Sequence, residues 1–535
     1  MMGQRAEQIF HGQPAAGTMA KGPLHVLPGT RQETAAPAAG EDLAAALERA
    51  RSELSRLIGN EKGAAGDILE FQLALLDDED FLAPVIKRMA AGEPWRKAWR
   101  EMLEEEIATY RDSGDEYLAA RANDLRDLQM RVLGTDQDMS GIGRGAIVVA
   151  ADLTPSRFLQ ISRLGVSGIA LSGGSATGHV AILARERGIN MIVGLKTAVE
   201  TLPDGEQALI DAKNGLLIVS PSARTLAQGA ERMAHEEKER KAAQAMAKKP
   251  AMTADGEPVR VLLNAANPDD LEEISPEICD GIGLTRTEFL FSDGLLPDEE
   301  TQTRVYERIL AWARGKPVTI RTLDAGGDKP IAGVTADGER NPFLGLRGLR
   351  LSLRKRALFR RQLRALLRAA IHGELKIMVP MVSVPEEMVQ ARAQLEKARQ
   401  ELEQRNVPYG DVSFGMMVEV PAAALMAECF DADFYSIGSN DLIQYTLAAE
   451  RGNPEVSWLA DGCNGAVMEL IARTVRAGRR LGREVSVCGA LASEPAHAAC
   501  LLDAGVRVFS VAPAMAGPVK LAISRHAMAK GSKNK

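Results

Sequence analysis

The sequence predicts a multidomain α/β protein in which a helical subdomain and a small α/β domain precede a C-terminal (β/α)8 TIM barrel. Three patterns lead there. Over residues 41–133 apolar side chains recur at spacings of three and four, as in Leu43, Leu47, Ala50, Leu54 and Leu57, which is the period of an amphipathic helix. Over residues 145–221 short β-rich runs (IVVAAD, SGIALS, MIVGL) are separated by glycines and by one helix. After Pro250 eight β-like runs alternate with helical or turn-rich stretches: VRVLLNA, GIGLT, VTIRTLD, LKIMVPM, FGMMVEV, FYSIGS, VSVCGA and VFSVAP. Eight such units make a closed barrel the better reading than an open doubly wound sheet.

A chain of 535 residues exceeds what one compact core holds. Residues 224–250, RTLAQGAERMAHEEKERKAAQAMAKKP, are rich in helix formers and charge but poor in apolar periodicity, so they read as a solvated connecting helix and as the main boundary. The helical subdomain then covers residues 41–143, the α/β domain 144–223 and the barrel 251–535.

The net charge of −7 comes from 65 basic and 72 acidic residues spread along the chain, so no nucleic-acid-binding arm is present. Five cysteines, odd in number and without CxxC spacing, argue against both a disulfide framework and a zinc site. No run is long enough to span a membrane, and the opening MMGQRAEQIFHGQPAAG lacks the apolar core of a signal peptide. A reducing, cytoplasmic location is expected.

In a (β/α)8 barrel chemistry sits at the C-terminal ends of the strands. Those ends carry Asn264, Arg286, Arg321 with Asp324, Pro380, Glu419, Asn440 with Asp441, and Cys488. Singly, an arginine there is usually ion-paired at the surface and a glutamate structural; gathered on one rim, they form a candidate site. Two acids from neighbouring strands, Glu419 and Asp441, suit Mg2+, which keeps waters and takes further oxygens from a phosphorylated substrate. Arg286, Arg321 and Arg451 offer planar forks matched to phosphate and carboxylate. The expected ligand is a small, doubly anionic phosphorylated acid. Cys488 is either a buried inert thiol or a general acid for an enolate.

A second constellation, GlySerAlaThrGlyHis at residues 174–179, runs into the helix ValAlaIleLeuAlaArg. Small residues allow close backbone approach, and a helix N-terminus favours an anion. His179 there is either a cap or a nucleophile that accepts and passes on phosphate.

These residues resemble those of enzyme I of the bacterial phosphoenolpyruvate-dependent phosphotransferase system. The shared segments include GIGLTRTEFLF, TIRTLDAGGDKP, NPFLGLRGLR, MVEVPAAALMA, FYSIGSNDLIQYTLAAERGNPEV and VCGALASEPA, in the same order. The resemblance implies a swivelling phosphohistidine α/β domain, begun by residues 1–40, into which the helical subdomain is inserted. It implies that His179 is phosphorylated and that Arg286, Arg321, Asn440, Asp441 and Arg451 hold phosphoenolpyruvate. Glu419 and Asp441 would then ligate Mg2+, and Cys488 would donate the proton. The helical insertion would dock the phosphocarrier protein HPr, and the barrel would form a homodimer.

The chain departs from the family pattern at three places. Ser175 and Gly178 stand where the phosphorylation loop usually has glycine and serine, Gly489-Ala490 stands where Gly-Glu usually follows the cysteine, and GQPAAGTMAKG lacks the usual Ser-Pro-Gly opening. Two rival readings are a dikinase or synthase, which would need an ATP-binding domain, and a non-catalytic regulatory homologue, favoured only by Ala490. No GxxxxGK[ST] loop is present.

Overall fold

The computed structural model describes the chain except residues 1–5, 28–40, 59–63, 113–115, 135–140, 177, 292–295, 328–330, 332, 336–337, 451–452, 454, 460–461 and 528–535. It divides into two compact units, Met1–Glu236 and Glu237–Lys535.

The first unit holds an eight-stranded sheet: β1 (Gln8–His11), β2 (Gln13–Ala16), β3 (Met19–Val26), β4 (Ile147–Ala150), β5 (Gly168–Leu171), β6 (Asn190–Val193), β7 (Gln207–Asp211) and β8 (Leu216–Val219). Their order is β1-β8-β7-β3-β4-β5-β6-β2, with β3 to β6 mutually parallel. Both β4 and β5 are buried at every position, as uniformly apolar parallel strands should be. Periodicity in the sequence gives no sign of the three strands within residues 8–26, because they are short and rich in small or polar residues.

Five helices follow β3 in the chain: α1 (Leu43–Ile58), α2 (Ala64–Asp77), α3 (Glu79–Ala90), α4 (Trp95–Asp112) and α5 (Glu116–Leu133). The apolar series predicted for α1 is its buried face. Three more complete the unit: α6 (Pro155–Arg163), α7 (His179–Glu186) and α8 (Ala223–Ala247). One hydrophobic core runs continuously from Leu43 and Trp99 in the helical layer to Val148, Phe158 and Leu183 beside the sheet. Helix α8 continues into the second unit, whose boundary falls between Glu236 and Glu237. Its last turn is fixed there by Lys520, a buried ammonium that donates to the carbonyls of Ala247 and Lys249.

The second unit is a closed barrel of eight parallel strands: β10 (Pro258–Ala265), β11 (Ile282–Thr285), β12 (Val318–Arg321), β13 (Leu375–Val379), β14 (Val412–Val418), β15 (Phe434–Gly438), β16 (Glu484–Cys488) and β17 (Val508–Val511). A two-residue strand, β9 (Ala251–Met252), adds antiparallel to β10. Alternation along the strands splits the core. Ile377 and Val379 pack outward against the helices, while Met378 joins Leu284, Met417, Phe434 and Cys488 in a smaller inner cluster. Among the described residues no helix is long and apolar enough to cross a membrane.

The cysteine expectation needs correction. Cys463 is paired in a disulfide with Cys500, 37 residues further on, their Cα atoms 6.7 Å apart. Barrel closure brings together two elements distant in sequence, so no local spacing announces the pair. In the chain-entropy account a loop of that length stabilises by roughly 4 kcal/mol. Calorimetry of the oxidised protein with and without reductant is therefore expected to show the second unit melting several degrees lower when reduced, and C463S should match the reduced sample in both conditions.

Candidate functional site

Strands β11, β12, β14, β15 and β16 end on one rim, and the residues at or just past those ends line a single cleft. Arg286, Arg321, Glu419, Asn440, Asp441 and Cys488 all face it, as do Arg347, Ser439 and Gly489. Six of the eight residues proposed as site residues from the sequence thus converge. Arg451 lies outside the described residues. His179 belongs to the first unit. Among the other strand-end residues, Asn264 accepts from the Ser510 hydroxyl at 2.6 Å, and neither it nor Pro380 lines the cleft.

The charges interlock. Arg321 pairs with Glu288 at 3.0 Å and with Asp324 at 3.1 Å. Arg347 pairs with the same Asp324 at 3.0 Å, reaches Asp441 at 3.4 Å and donates to the Tyr445 hydroxyl at 3.1 Å. Burial works against the charge on Arg321, but Glu288, Asp324, Glu419 and Asp441 outweigh it and hold the guanidinium protonated. Arg286 is exposed at the cleft mouth, so its fork is open to an incoming anion. Glu419 is buried and accepts the Met381 amide at 2.6 Å. Burial first, and then the charges of Asp441 and Asp324, push its carboxyl well above the usual carboxylate range.

Glycines make room for this arrangement at two points. A Cβ on Gly438 would come within 2.8 Å of a Glu419 carboxylate oxygen. Gly489 has φ +95°, and a Cβ there would lie 2.5 Å from the Ser439 hydroxyl and 2.9 Å from the Asn440 amide oxygen. Ala490 has no side-chain acid to offer and acts through its backbone: its N–H donates to Asn440 Oδ1 at 2.9 Å. The Cys488 thiol is buried, accepts from the Ser436 hydroxyl at 3.7 Å and donates to the Ile437 carbonyl at 3.4 Å. Burial pushes it up to about 11, so at neutral pH it carries its proton.

Among the described residues no cluster of three or more His, Cys, Asp or Glu side chains is arranged to hold a metal. Two carboxylates, Glu419 and Asp441, side by side in one cleft nevertheless fit a hard cation that keeps most of its own waters.

His179 opens α7, after the turn through Gly174 at φ +79° and the N-cap Gly178. Its ring is 15 % exposed, and Nδ1 lies 3.1 Å from Asp124 Oδ1, which is fully buried on α5. Gly174, Ser175, Gly178 and Asp152 line the same small pocket, and the Asp152 carboxyl is raised chiefly by burial. Thr177 lies outside the described residues.

Sequence reasoning missed Arg347, Glu288 and Asp124 as site members. The first two lie in the segments NPFLGLRGLR and GIGLTRTEFLF, so a signal was present; Asp124, one acid among many on a charged helix, gives none.

Three family models match the chain in succession: PEP-utilising enzyme, N-terminal, over residues 11–121; PEP-utilising enzyme, mobile domain, over 142–215; and PEP-utilising enzyme, PEP-binding domain, over 240–528. Similar proteins include the phosphoenolpyruvate-protein phosphotransferase of Geobacillus stearothermophilus, 37% identical over 508 residues that span 92% of this chain and 86% of that protein. The protein of the same name from Bacillus sp. (strain S) is 38% identical over 90% of this chain and 84% of its own length. That from Bacillus subtilis (strain 168) is 35% identical, over 90% and 85% respectively.

Proposed function

The chain belongs to the PEP-utilising enzymes, and among them to the phosphoenolpyruvate-protein phosphotransferases, and on that premise we propose that it carries a phosphoryl group on His179 from phosphoenolpyruvate to a histidine of the carrier protein HPr. The observation that carries this reading is the barrel rim, where arginines, two carboxylates and a protonated thiol face one cleft.

In the proposed cycle Arg286 and Arg321 receive the phosphate and carboxylate of the substrate, with Asn440 and Arg451 completing its surround. Arg347 holds Asp441 and Asp324 in place and adds positive charge near the phosphoryl group. Glu419 and Asp441 would hold Mg2+, which when bound offsets charge on the phosphate oxygens and brings water ligands that complete its shell. The Cys488 thiol, held protonated by burial, protonates C3 of the departing enolate to give pyruvate. Positioning and charge neutralisation supply most of the rate.

His179 sits half-buried at the start of α7, where a phosphoryl group meets free backbone N–H groups. The helical layer α1 to α5 supplies the docking surface for HPr, the barrel forms a homodimer, and the enzyme works in the cytoplasm. Incubation with labelled phosphoenolpyruvate and Mg2+, without ATP, is expected to place label on His179 and release pyruvate. Label that requires ATP would point instead to a dikinase, and binding without pyruvate release to a regulatory homologue.

A further inference from the structure

Resting on the reading of the barrel rim as a phosphoenolpyruvate site, we propose that Cys463 and Cys500 form a reversible thiol–disulfide switch: the closed bond clamps Asn440 in place for the substrate, and a dithiol reductant releases it.

The pair joins two chain connections that meet at Asn440. Cys463 lies in the connection from β15 to β16, directly before Asn464, the N-cap of the helix Gly465–Leu481. Cys500 lies in the connection from β16 to β17, within the helix Ala498–Asp503. Strands β15 and β16 are neighbours in the barrel, and Asn440 and Cys488 at their ends face the one cleft.

Packing between the two connections is close. Gly462, beside Cys463, is buried, and a Cβ on it would collide with Leu491 and lie 3.7 Å from Ile443 Cδ1. Ile443 belongs to the helix Ser439–Leu447, which begins with Ser439, Asn440 and Asp441. Leu491 follows Ala490, whose N–H donates to Asn440 Oδ1 at 2.9 Å. The Ser439 hydroxyl ties the same two segments by donating to the Cys488 carbonyl at 2.6 Å. Gly462 thus sits on the seam where the helix of Asn440 meets the turn after Cys488. A covalent bond from its neighbour Cys463 to Cys500, further along the chain from Leu491, holds that seam closed. With its oxygen engaged by Ala490, Asn440 keeps its amide N–H groups for the substrate.

The setting suits a bond that opens as well as closes. Cys463 and Cys500 are half-buried and open to a small dithiol, whereas Cys279 and Cys488 are buried. Once reduced, the Cys500 thiol has an acceptor in place, the His497 carbonyl 3.0 Å from Sγ. In the cytoplasm, where the enzyme works on this reading, disulfides are as a rule transient and regulatory.

In the opening step a thiolate of the reductant attacks one sulfur of the pair. The S–S bond breaks, and its electron pair leaves on the other cysteine sulfur, which takes up a proton. The second thiolate of the reductant then attacks the mixed disulfide and expels the first cysteine, which is protonated in turn. Two electrons pass, so the protein disulfide becomes two thiols and the dithiol becomes a disulfide. A small disulfide closes the pair by the same exchange in reverse.

The test poises the full chain in mixtures of dithiothreitol and its oxidised form and reads the state of the pair by alkylation and mass spectrometry. As the pair opens, KM for phosphoenolpyruvate in the presence of Mg2+ is expected to rise roughly two- to tenfold at nearly unchanged kcat, because Asn440 must then be ordered on binding. C463S and C500S should show the raised KM at every poise. A bond that only staples the barrel would shift its melting and leave KM where it is, so a constant KM across the transition overturns the proposal. A pair that stays wholly bonded or wholly open at every poise also overturns it, as does a KM in C463S that still follows the reductant. Should both variants fail to fold, the poise series on the parent decides alone. If the parent makes no pyruvate, the phosphoenolpyruvate reading itself falls, and hydrogen exchange decides the clamp: faster exchange over residues 439–447 and 489–493 in the reduced parent supports it, and equal exchange overturns it.

Discussion

H179A takes up no acid-labile phosphate from phosphoenolpyruvate and loses pyruvate production by at least about ten-thousandfold: that is the expected result, because deleting a covalent nucleophile removes a step rather than slowing it. The remaining histidines offer no substitute. His25 lies 3.4 Å from Asp204, His372 lies 3.3 Å from Glu307 and His526 lies 3.0 Å from Asp503. His11 lies within strand β1, His235 lies inside α8, and His497 closes a single 3-10 turn. Only His179 among the described residues opens an α-helix behind a glycine-bounded turn. The variant should fold, since α7 is held by Val180, Ala181, Leu183 and Ala184, whose burial does not involve the ring. Circular dichroism and the melting transition serve as the control, and filter-bound label stable to base but lost in acid is the measurement. Undiminished label on H179A would remove His179 from the pathway.

What could be read from the sequence, and what could not, follows from how far apart the interacting residues lie. The barrel was legible because each strand is a local run with turn residues on both sides, and eight of them repeat. The rim residues were legible for the same reason: a strand's C-terminal end is a local address, and in this fold it is also a functional one. The inner and outer faces of β13, with Met378 against Ile377 and Val379, are likewise set by alternation alone. Three features lay beyond such reasoning. The contact between His179 and Asp124 joins residues 55 apart on different layers, and neither helix pattern marks Asp124 as different from its acidic neighbours. The Cys463–Cys500 pair depends on the closed barrel. The strands within residues 8–26 are stabilised by partners near residues 147, 192, 208 and 218, so their own composition says little.

E419Q is expected to lose activity by roughly a thousandfold and, in metal-free protein, to melt higher than the parent chain. Both effects come from one carboxylate. Glu419 is buried at the end of β14, and burial first, then Asp441 and Asp324, push its carboxyl up to about 8 from an ordinary 4.5, against the pull of Arg321. Between those two values the native state keeps a proton that the unfolded chain has released. The unfolded state therefore binds fewer protons, and the stability of the metal-free parent falls as pH rises through that window. Glutamine mimics the protonated acid, its oxygen can still accept the Met381 amide, and it has no proton to lose. The difference in melting temperature between variant and parent should thus widen as pH is raised from about 5 to 8. Added Mg2+ reverses the order: a cation at a hundred times its dissociation constant stabilises the parent by about 2.7 kcal/mol and the variant by much less, because one of the two ligating acids is gone. A melting gap that narrows with rising pH would mean that Glu419 carries its charge without strain, and a variant with normal turnover would mean that the charge is not what the substrate's metal needs.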